Sequence, residues 1–520
     1  MTAADLSAPA EPSPTSRPTF CPVESRRFVL VAAILASSMG FIDGTVVSLA
    51  MPAIRADLGA SLVDAQWISN GYMLFLSALV LLGGAAGDVF GVRNIFATGI
   101  ALFMVMSLAC ALAPDARTLI IMRGAQGFGA ALMVPGSLAI IAKAYPSDTR
   151  GRAIGQWAAF SSLTTAMGPF IGGLVLSFGA EWMWRLIFAI NAPIGLVALA
   201  MLYLRVPQDR PDGKRRLDML GAVLATTSLG LLAWGLTAFG MPESERGGPP
   251  LYWIVAGVIL FAGFIRWEKT TSAPMVKLEL FRSRAFAGAN VYTLILFVAF
   301  GAMLFFLPMT LVTAWGKHEW QASLAMLPLS LAIATFSGRS GRLADRIGPR
   351  LPLSLGAAIV GVGYAGLAIT TPLMMLWEVT VPVYLLGAAG MALLISPLSA
   401  AVMLATPDAD TGLASGVNNA VARAAGLIAV AAFGAMASLV FASVAGGALP
   451  GIEFGQKVTT ALDPAAEALR VAAANRAFQA IAAAASAICF LAAAIAWFTQ
   501  PSWRAGEKPG MSTSVVPVET

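Results

Sequence analysis

Asp43 is the residue whose type and position most directly suggest chemistry in this chain. It lies within the apolar run 28–50, which reads FVLVAAILASSMGFIDGTVVSLA. An ionisable side chain at the centre of an apolar segment of membrane length costs about 2.5–3.5 kcal/mol on insertion scales, so such a residue is a functional candidate. The other carboxylates near apolar runs stand at the ends of those runs or between them. Asp43 is therefore the first candidate for proton or cation chemistry, and a local cap of the Gly44–Thr45 backbone is the alternative.

The composition indicates the class of protein in which Asp43 must act. Hydrophobic residues make up 58% of the 520 residues and charged residues 12%, with a mean hydropathy of +0.78, whereas soluble domains carry about 25% charged residues. Such a chain is predicted to be an all-α membrane protein. The first 27 residues are polar and rich in Pro, which predicts a disordered tail and no cleavable signal peptide.

Runs of about 20 apolar residues predict membrane-spanning helices, because about 30 Å of hydrocarbon requires that length. Fourteen such runs occur, at 28–50, 67–87, 94–113, 117–141, 152–178, 185–204, 218–239, 251–267, 285–312, 320–338, 351–371, 379–404, 415–444 and 475–498. An even number places both termini on one side of the membrane. The segments on that side hold about three times as many Lys and Arg as the others, which predicts cytoplasmic termini. Arg123 and Arg423 fall inside spans.

Several classes of function are excluded by what the chain contains. The net charge of +6 comes from Lys and Arg in short loops, which is not typical of nucleic-acid binding. Cys21, Cys110 and Cys489 lie in three separate segments, so neither a disulfide framework nor a metal cluster is expected. The single histidine, His318, falls in a short loop. No nucleotide-binding motif or nucleophile triad is found, so we expect no enzyme activity, no cofactor and no ATP-driven transport.

An internal repeat organises the spans. GAAGDVFGVR at 84–93 and GRLADRIGPR at 341–350 share the frame G-x-x-x-D-x-x-G-x-R. A second pair of similar segments, DTRGRAIG from Asp148 and DTGLASG from Asp410, is separated by nearly the same number of residues. Two pairs of similar segments with nearly the same separation indicate a duplicated unit. Spans 1–6 then correspond to spans 9–14, with spans 7–8 as an inserted pair. The predicted parts are a cytoplasmic tail at 1–27, a six-helix bundle at 28–204, an inserted segment at 205–284, a pseudo-symmetric six-helix bundle at 285–498 and a cytoplasmic tail at 499–520.

Five motifs lie in order on these spans. They are FIDGTVVSLAMP at 41–52, GAAGDVFGVR at 84–93, LIIMRGAQGFGAA at 119–131, TAMGPFIGG at 165–173 and WMWRLIFAINAPIG at 182–195. Through them the chain resembles the major facilitator superfamily, and within it the fourteen-helix drug:proton antiporter branch of bacterial multidrug exporters. It departs from the family pattern at Ala86 and Gly87, where Leu and Ala are usual, and at Thr164, where a glycine is usual. The resemblance implies a monomer in the bacterial inner membrane that is driven by the proton gradient.

Helix geometry predicts a partner for Asp43. At about 1.5 Å per residue, Asp43 lies about 22 Å from the cytoplasmic start of span 1, and Arg123 lies about 9 Å below the outer start of span 4. The two depths nearly coincide, and opposite charges at one depth in hydrocarbon are expected to pair, directly or through water or a polar bridge such as Gln126. The resemblance implies a role for both residues in proton coupling, whereas a purely structural ion pair is the alternative.

Two other sets of residues are candidates for gating. Gly168, Pro169 and Gly172 belong to the GPFIGG segment, for which the resemblance implies a bend that seals the outer side, with ordinary small-residue packing as the alternative. The repeat frames are predicted to be cytoplasmic loops that latch onto helix starts, Asp88 onto span 13 and Asp345 onto span 5. The alternative for the Arg residues of these frames is that they only set the orientation of the helices in the membrane. The remaining gating candidates are Gly91, Arg93, Gly348 and Arg350.

A substrate cavity is expected between the two bundles. Its candidate polar lining residues are Gln126, Asn70, Tyr72, Ser161, Thr165, Asn290, Asn418 and Asn419. The predicted function is proton-coupled antiport that exports amphipathic small molecules by alternating access, with substrate, protons and lipid as the partners. The lone Asp43 favours neutral, zwitterionic, anionic or monovalent cationic cargo over divalent cations. The alternatives are an exporter dedicated to one metabolite or natural product, an uptake symporter, and a membrane sensor or scaffold that transports nothing.

Overall fold

The computed structural model describes residues 20–178, 180–209, 211, 216–407, 410–458 and 461–503, without the side chains of Ser162, Thr165 and Ala166. Fifteen α-helices occur within these ranges. They are α1 (Val23–Leu58), α2 (Leu62–Phe90), α3 (Val92–Ala111), α4 (Ala116–Ala144), α5 (Ser147–Leu176), α6 (Trp184–Ala189), α7 (Asn191–Arg205), α8 (Met219–Ala238), α9 (Pro250–Glu268), α10 (Arg284–Thr313), α11 (Glu319–Ile347), α12 (Arg350–Thr370), α13 (Val381–Leu404), α14 (Thr411–Ala445) and α15 (Pro464–Thr499).

The predicted spans correspond to these helices. Thirteen helical segments of the described chain are long and apolar enough to cross a membrane, and α6 and α7 together form one of them, Glu181–Arg205. The predicted span 152–178 coincides with α5, a helix of 30 residues. Its apolar part, Met167–Leu176, is shorter than the thirteen membrane-length segments. The protein is therefore an all-helical, multi-pass membrane protein.

The repeat frames are mostly helical, and the prediction that 84–93 and 341–350 are loops is wrong for most of their length. Helix α2 continues to Phe90 and α11 continues to Ile347. The turns are confined to Gly91, with φ of 93°, and Gly348, with φ of 85°. Nothing before these glycines interrupts the helical backbone, and glycine adopts a positive φ without a side-chain clash. Asp88 and Asp345 consequently lie on the last turns of long helices.

The helices pack into two sets that meet along a seam. Helices α1 to α7 contact one another, as do α10 to α15, while α8 packs on α9 and also contacts α2 and α14. The first and last described segments lie at one end of the molecule, where Tyr145 Oη donates to the carbonyl of Arg26 at 3.0 Å and Trp503 Nε1 donates to the carbonyl of Asp345 at 3.2 Å. We call this end the terminal face and the other end, which carries Glu453, the opposite face.

Hydrogen bonds between the two sets cluster at the opposite face. Arg55 donates to the carbonyl of Phe454 at 2.7 Å and to the Glu453 carboxylate at 2.8 Å, and Glu453 also accepts from the Leu62 amide at 2.6 Å. The Trp320 amide donates to Ser177 Oγ at 3.1 Å. Gln66 of α2 donates to the carbonyls of Val430 and Ala431 of α14 at 2.7 and 3.2 Å in the same half. The opposite face is therefore closed.

Candidate functional site

Asp43 and Arg123 form a buried ion pair between α1 and α4. The distance from Arg123 Nη1 to Asp43 Oδ2 is 2.6 Å, and the residues are only 2% and 1% exposed. Gln126, one turn from Arg123, contacts both partners. Its Oε1 accepts from Arg123 Nη1 at 2.6 Å and its Nε2 donates to Asp43 Oδ1 at 3.0 Å. The structure thus contains both the direct pair and the Gln126 bridge that helix geometry suggested.

The Arg123 guanidinium has further partners besides the carboxylate. Its Nε donates to the carbonyl of Ile68 on α2 at 3.1 Å. It also lies 4.3 Å from the ring centre of Tyr72 and 5.5 Å from that of Phe188, distances at which a cation is attracted to an aromatic face. Arg123 therefore keeps a hydrogen bond and two aromatic contacts when Asp43 is neutral, although it then lacks a counter-charge.

Two residues of the site were not found by sequence reasoning. Ser107 on α3 accepts from Gln126 Nε2 at 3.2 Å and from Asn191 Nδ2 at 2.8 Å, and it donates to the carbonyl of Phe188 at 3.0 Å. Asn191 stands at the start of α7, inside the motif WMWRLIFAINAPIG, which was a usable signal. Ser107 belongs to no motif. Together they fix the orientation of the Gln126 amide.

Close packing of α2 against α4 holds Arg123 beside its partners. A Cβ on Gly71 would lie 3.2 Å from the carbonyl oxygen of Ile120, and one on Gly127 would overlap the backbone of Tyr72. Both glycines permit a backbone-to-backbone contact that larger residues would prevent. This contact brings the ring of Tyr72 and the carbonyl of Ile68 to the guanidinium.

The other candidate cavity residues do not join this cluster. Asn418 Nδ2 on α14 donates to Asn290 Oδ1 at 3.2 Å and to Thr293 Oγ1 at 2.8 Å, which forms a second polar group at the α10–α14 contact. Ser161 is buried on α5, Thr165 lies on the same helix with its side chain outside the described residues, and Asn419 is exposed. Asn70 is fully buried on α2, and among the described residues neither of its amide atoms has a hydrogen-bond partner.

The GPFIGG segment brings α5 against two helices. A Cβ on Gly168 would lie 3.3 Å from Thr45 Oγ1, and one on Gly172 would overlap the side chain of Val46, so both glycines face α1. The next residue, Gly173, faces Ser323 on α11 in the same way. Pro169 lies within the continuous helix α5. This segment therefore forms part of the closed opposite face.

The first repeat frame is bound by a residue that sequence reasoning missed. Asp209, after α7, accepts from the backbone amides of Val92 and Arg93 at 2.9 and 3.0 Å and lies 3.4 Å from Lys143 Nζ. The Arg93 side chain is buried and donates to the carbonyl of Leu202. In this conformation Arg93 therefore secures the end of α7. No sequence pattern marked Asp209, because its role depends on how the loop folds back.

The second repeat frame is bound in a corresponding place. The chain after α15 passes over Gly348, and the Arg350 amide donates to the carbonyl of Pro501 at 3.3 Å. The Arg350 guanidinium lies 4.2 Å from the ring centre of Trp497. Among the described residues, the Asp345 carboxylate forms no hydrogen bond or ion pair. The predicted contact of Asp345 with the start of α5 is therefore absent from this conformation.

Replacing Asp209 with Ala is expected to destabilise the fold. A carboxylate that accepts two amides at a helix start is stabilising, and its removal leaves the first turn of α3 without acceptors, at a cost of about 1–3 kcal/mol. Thermal unfolding of the purified protein in detergent should show a lower Tm for Asp209→Ala than for Glu279→Ala, which removes an exposed carboxylate. Equal Tm values for the two variants would contradict this role of Asp209.

Among the described residues, no group of three or more His, Cys, Asp or Glu side chains could hold a metal ion. The chemistry of the site consequently rests on the carboxylate, guanidinium and amide groups that it contains. A buried carboxylate can bind and release a proton, and the neighbouring cation decides which form is stable.

Comparisons with known proteins agree with this architecture. The chain is 31% identical over 407 residues to the multidrug resistance protein Stp of Mycobacterium tuberculosis (strain CDC 1551 / Oshkosh), covering 75% of this chain and 72% of that protein. It is 32% identical to the tetracenomycin C resistance and export protein of Streptomyces glaucescens, covering 65% of this chain and 62% of that protein. A bacterial homologue of the human lysosomal transporter Spinster, solved in an inward-facing and occupied conformation, superposes with a TM-score of 0.64 at 18% identity over 91% of this chain and 97% of that one. The family model of the Major Facilitator Superfamily matches residues 33–431, and the chain belongs to that family.

Proposed function

We propose that this chain is a proton-coupled antiporter that exports amphipathic small molecules. The observation that carries the proposal is the buried network of Asp43, Arg123 and Gln126. A buried ion pair is a weak source of stability, because desolvation offsets most of the attraction. Its presence in an apolar span is better explained by proton exchange. Export, as opposed to uptake, is supported by the similarity to the tetracenomycin C resistance and export protein, and the comparisons do not favour a sensor or an uptake symporter.

The proposed cycle couples the charge of Asp43 to the conformation of the two bundles. With Asp43 ionised, Arg123 Nη1 and Gln126 Nε2 hold the carboxylate between α1 and α4. A proton bound to Asp43 removes that charge, and Arg123 retains its bonds to Ile68 and Gln126. Contact between α1 and α4 is thereby loosened, and the bundles can rock. Protons return inward while the substrate leaves, with no cofactor.

The architecture proposed for this cycle has fourteen spans, with α5 as the fifth. Two pseudo-symmetric bundles, 28–204 and 285–498, flank the inserted segment 205–284. The pseudo-symmetry is supported by the two repeat frames, since each is bound by the chain that follows the sixth span of its own half, Asp209 in the first and Pro501 in the second. The protein is proposed to work as a monomer in the bacterial inner membrane.

The terminal face is proposed to be cytoplasmic, because the excess of Lys and Arg lies there. The conformation is then inward-facing, since the bonds between the bundles lie at the opposite, outer face. In the outward-facing state, Asp88 and Asp345 are proposed to latch onto the starts of α14 and α5 and so to close the cytoplasmic side. Gly91, Arg93, Gly348 and Arg350 shape the turns that carry these latches.

Efflux of fluorescent dyes from cells that lack other pumps tests the proposed function. The panel should include cationic, neutral and anionic amphipathic dyes. Cells that produce the protein are expected to expel at least one dye, and a protonophore is expected to stop this efflux. Equal retention of every dye in cells with and without the protein would contradict drug export, and efflux that persists in the protonophore would contradict proton coupling.

A further inference from the structure

Arg423 is a second arginine inside a span, and its surroundings differ from those of Arg123. It lies within α14, where its Nε contacts Asn419 Oδ1 at 3.4 Å. Among the described residues, no carboxylate forms an ion pair with its guanidinium, whereas Arg123 has Asp43. Charged side chains in membrane spans are rare, and they pair with an opposite charge or face a water-filled path. Arg423 therefore faces a water-filled path, where a ligand can supply the opposite charge.

The packing of α14 shows where Arg423 points. Gln66 on α2 donates to the carbonyls of Val430 and Ala431, Gly434 faces the Gln66 side chain, and Gly416 faces Leu81 of α2. Positions 416, 423 and 434 are separated by 7 and 11 residues, so they lie on one side of the helix. Arg423 consequently lies on the side of α14 that faces α2, along the seam between the two bundles.

The flank of this seam is covered by protein. Leu74 of α2, Ala233 of α8, and Leu427 and Ala431 of α14 form one buried apolar cluster. Helix α8 packs against Leu427, which lies one turn after Arg423. The guanidinium is therefore shielded from lipid on this flank. Arg423 is half-buried, and it lies midway along α14 between Gly416 and Val430, which contact Leu81 and Gln66 of α2. Arg423 is therefore level with the middle of the Gln66–Leu81 stretch of α2.

The seam also contains polar groups that lack protein partners. Asn70 lies one turn from Gln66 on the same side of α2, and its amide oxygen and nitrogen are buried without a described hydrogen bond. A guanidinium without a carboxylate partner, on the same seam as a buried amide that lacks a hydrogen bond, matches an acidic ligand that accepts from both groups.

We propose that Arg423, with Asn419 and Asn70, forms a subsite for an anionic group on the substrate, such as a carboxylate. The inference rests on the proposed function, since the ligand is the exported molecule. The apolar body of that molecule would lie along the seam between α2 and α14, and its acidic group would contact Arg423. The substrate class is therefore narrowed to amphipathic molecules that carry an acid.

Direct binding to the purified full-length protein tests this subsite without requiring transport. The probes are three fluorescent aromatic carboxylic acids of different size and their uncharged methyl esters, measured by fluorescence anisotropy near neutral pH. Wild type is expected to bind at least one acid about tenfold more tightly than its ester, the scale of a charge-assisted hydrogen bond. Arg423→Gln is expected to abolish this preference, Arg423→Lys to keep part of it, and Arg266→Gln, which removes an exposed arginine on α9, to leave it unchanged.

Each outcome separates the subsite from the transport function. No preference for any acid in wild type, or a preference that survives in Arg423→Gln, would overturn the subsite. Proton-driven efflux in the same protein would then still support the exporter. An acid preference that depends on Arg423, in a protein that exports no dye, would support the subsite and contradict the exporter. Loss of acid and ester binding together in Arg423→Gln would show a structural role and overturn the inference.

Discussion

Asp43→Asn is expected to reduce proton-driven dye efflux to the level of cells without the protein. The amide has nearly the same shape as the carboxylate, and it can still contact Gln126 and Arg123, but it cannot exchange a proton. The substitution also leaves the buried Arg123 without its counter-charge, at a cost of about 3–5 kcal/mol for a broken buried pair. Efflux of a dye that wild type transports, normalised to the amount of folded protein in the membrane, is the measurement.

Two control variants make this result specific. Asp43→Glu keeps a proton-binding group and is expected to retain partial, protonophore-sensitive efflux. Asp57→Asn alters a second carboxylate of α1, which accepts from Trp184 Nε1 at 2.9 Å and from Arg185 Nη2 at 3.0 Å near the opposite face. It is expected to lower stability while the remaining efflux stays dependent on protons. Normal efflux by folded Asp43→Asn would remove Asp43 from the coupling mechanism.

Gly172→Val is expected to abolish efflux as well, by a different route. A branched side chain at this position would overlap Val46, so α5 could no longer approach α1 at the closed face. Overpacking of a tight contact costs about 1–3 kcal/mol, which would shift the balance away from the conformation that needs this contact. Labelling of an introduced cysteine on the outer side of α5 by a membrane-impermeant maleimide should therefore increase relative to wild type.

The same helix supplies the matched control for this prediction. A Cβ on Gly155 would meet no atom within 4 Å, so Gly155→Val adds the same side chain without a clash. We expect Gly155→Val to keep most of the efflux and to leave the labelling unchanged. If both variants behave alike, the effect comes from helix propensity or expression, and the role assigned to Gly172 is wrong.

The sequence predicted those features that depend on helix geometry alone. The common depth of Asp43 and Arg123 follows from two spans of opposite direction and a fixed rise per residue, and their pairing follows from the cost of a lone charge in hydrocarbon. The predicted span 475–498 starts later than α15, although a local signal marks the true start at Pro464, where Asp463 caps the helix and accepts from the amides of Ala465 and Ala466. Features set by local chemistry are therefore the ones that a single sequence reveals.

Other features depend on tertiary contacts, and the sequence did not reveal them. Ser107 and Asp209 act through a particular helix rotation and a particular loop path, which no spacing rule specifies. The repeat frames at 84–93 and 341–350 are helical where the sequence predicts loops, because polar residues continue a helix where it leaves the hydrocarbon. The candidate cavity residues separated into groups, such as Asn290 with Asn418, for the same reason. A list of polar residues in spans does not show which of them face each other.

Proton movement in proteoliposomes tests the central claim most directly. The purified protein is reconstituted with a pH-sensitive dye trapped in the lumen, together with a transported compound that has no titratable group near neutral pH. Outward movement of this compound is expected to acidify the lumen with wild type, because protons enter in exchange, and to leave the pH constant with Asp43→Asn. Substrate movement through wild type without any change in luminal pH, or with alkalinisation, would contradict proton antiport.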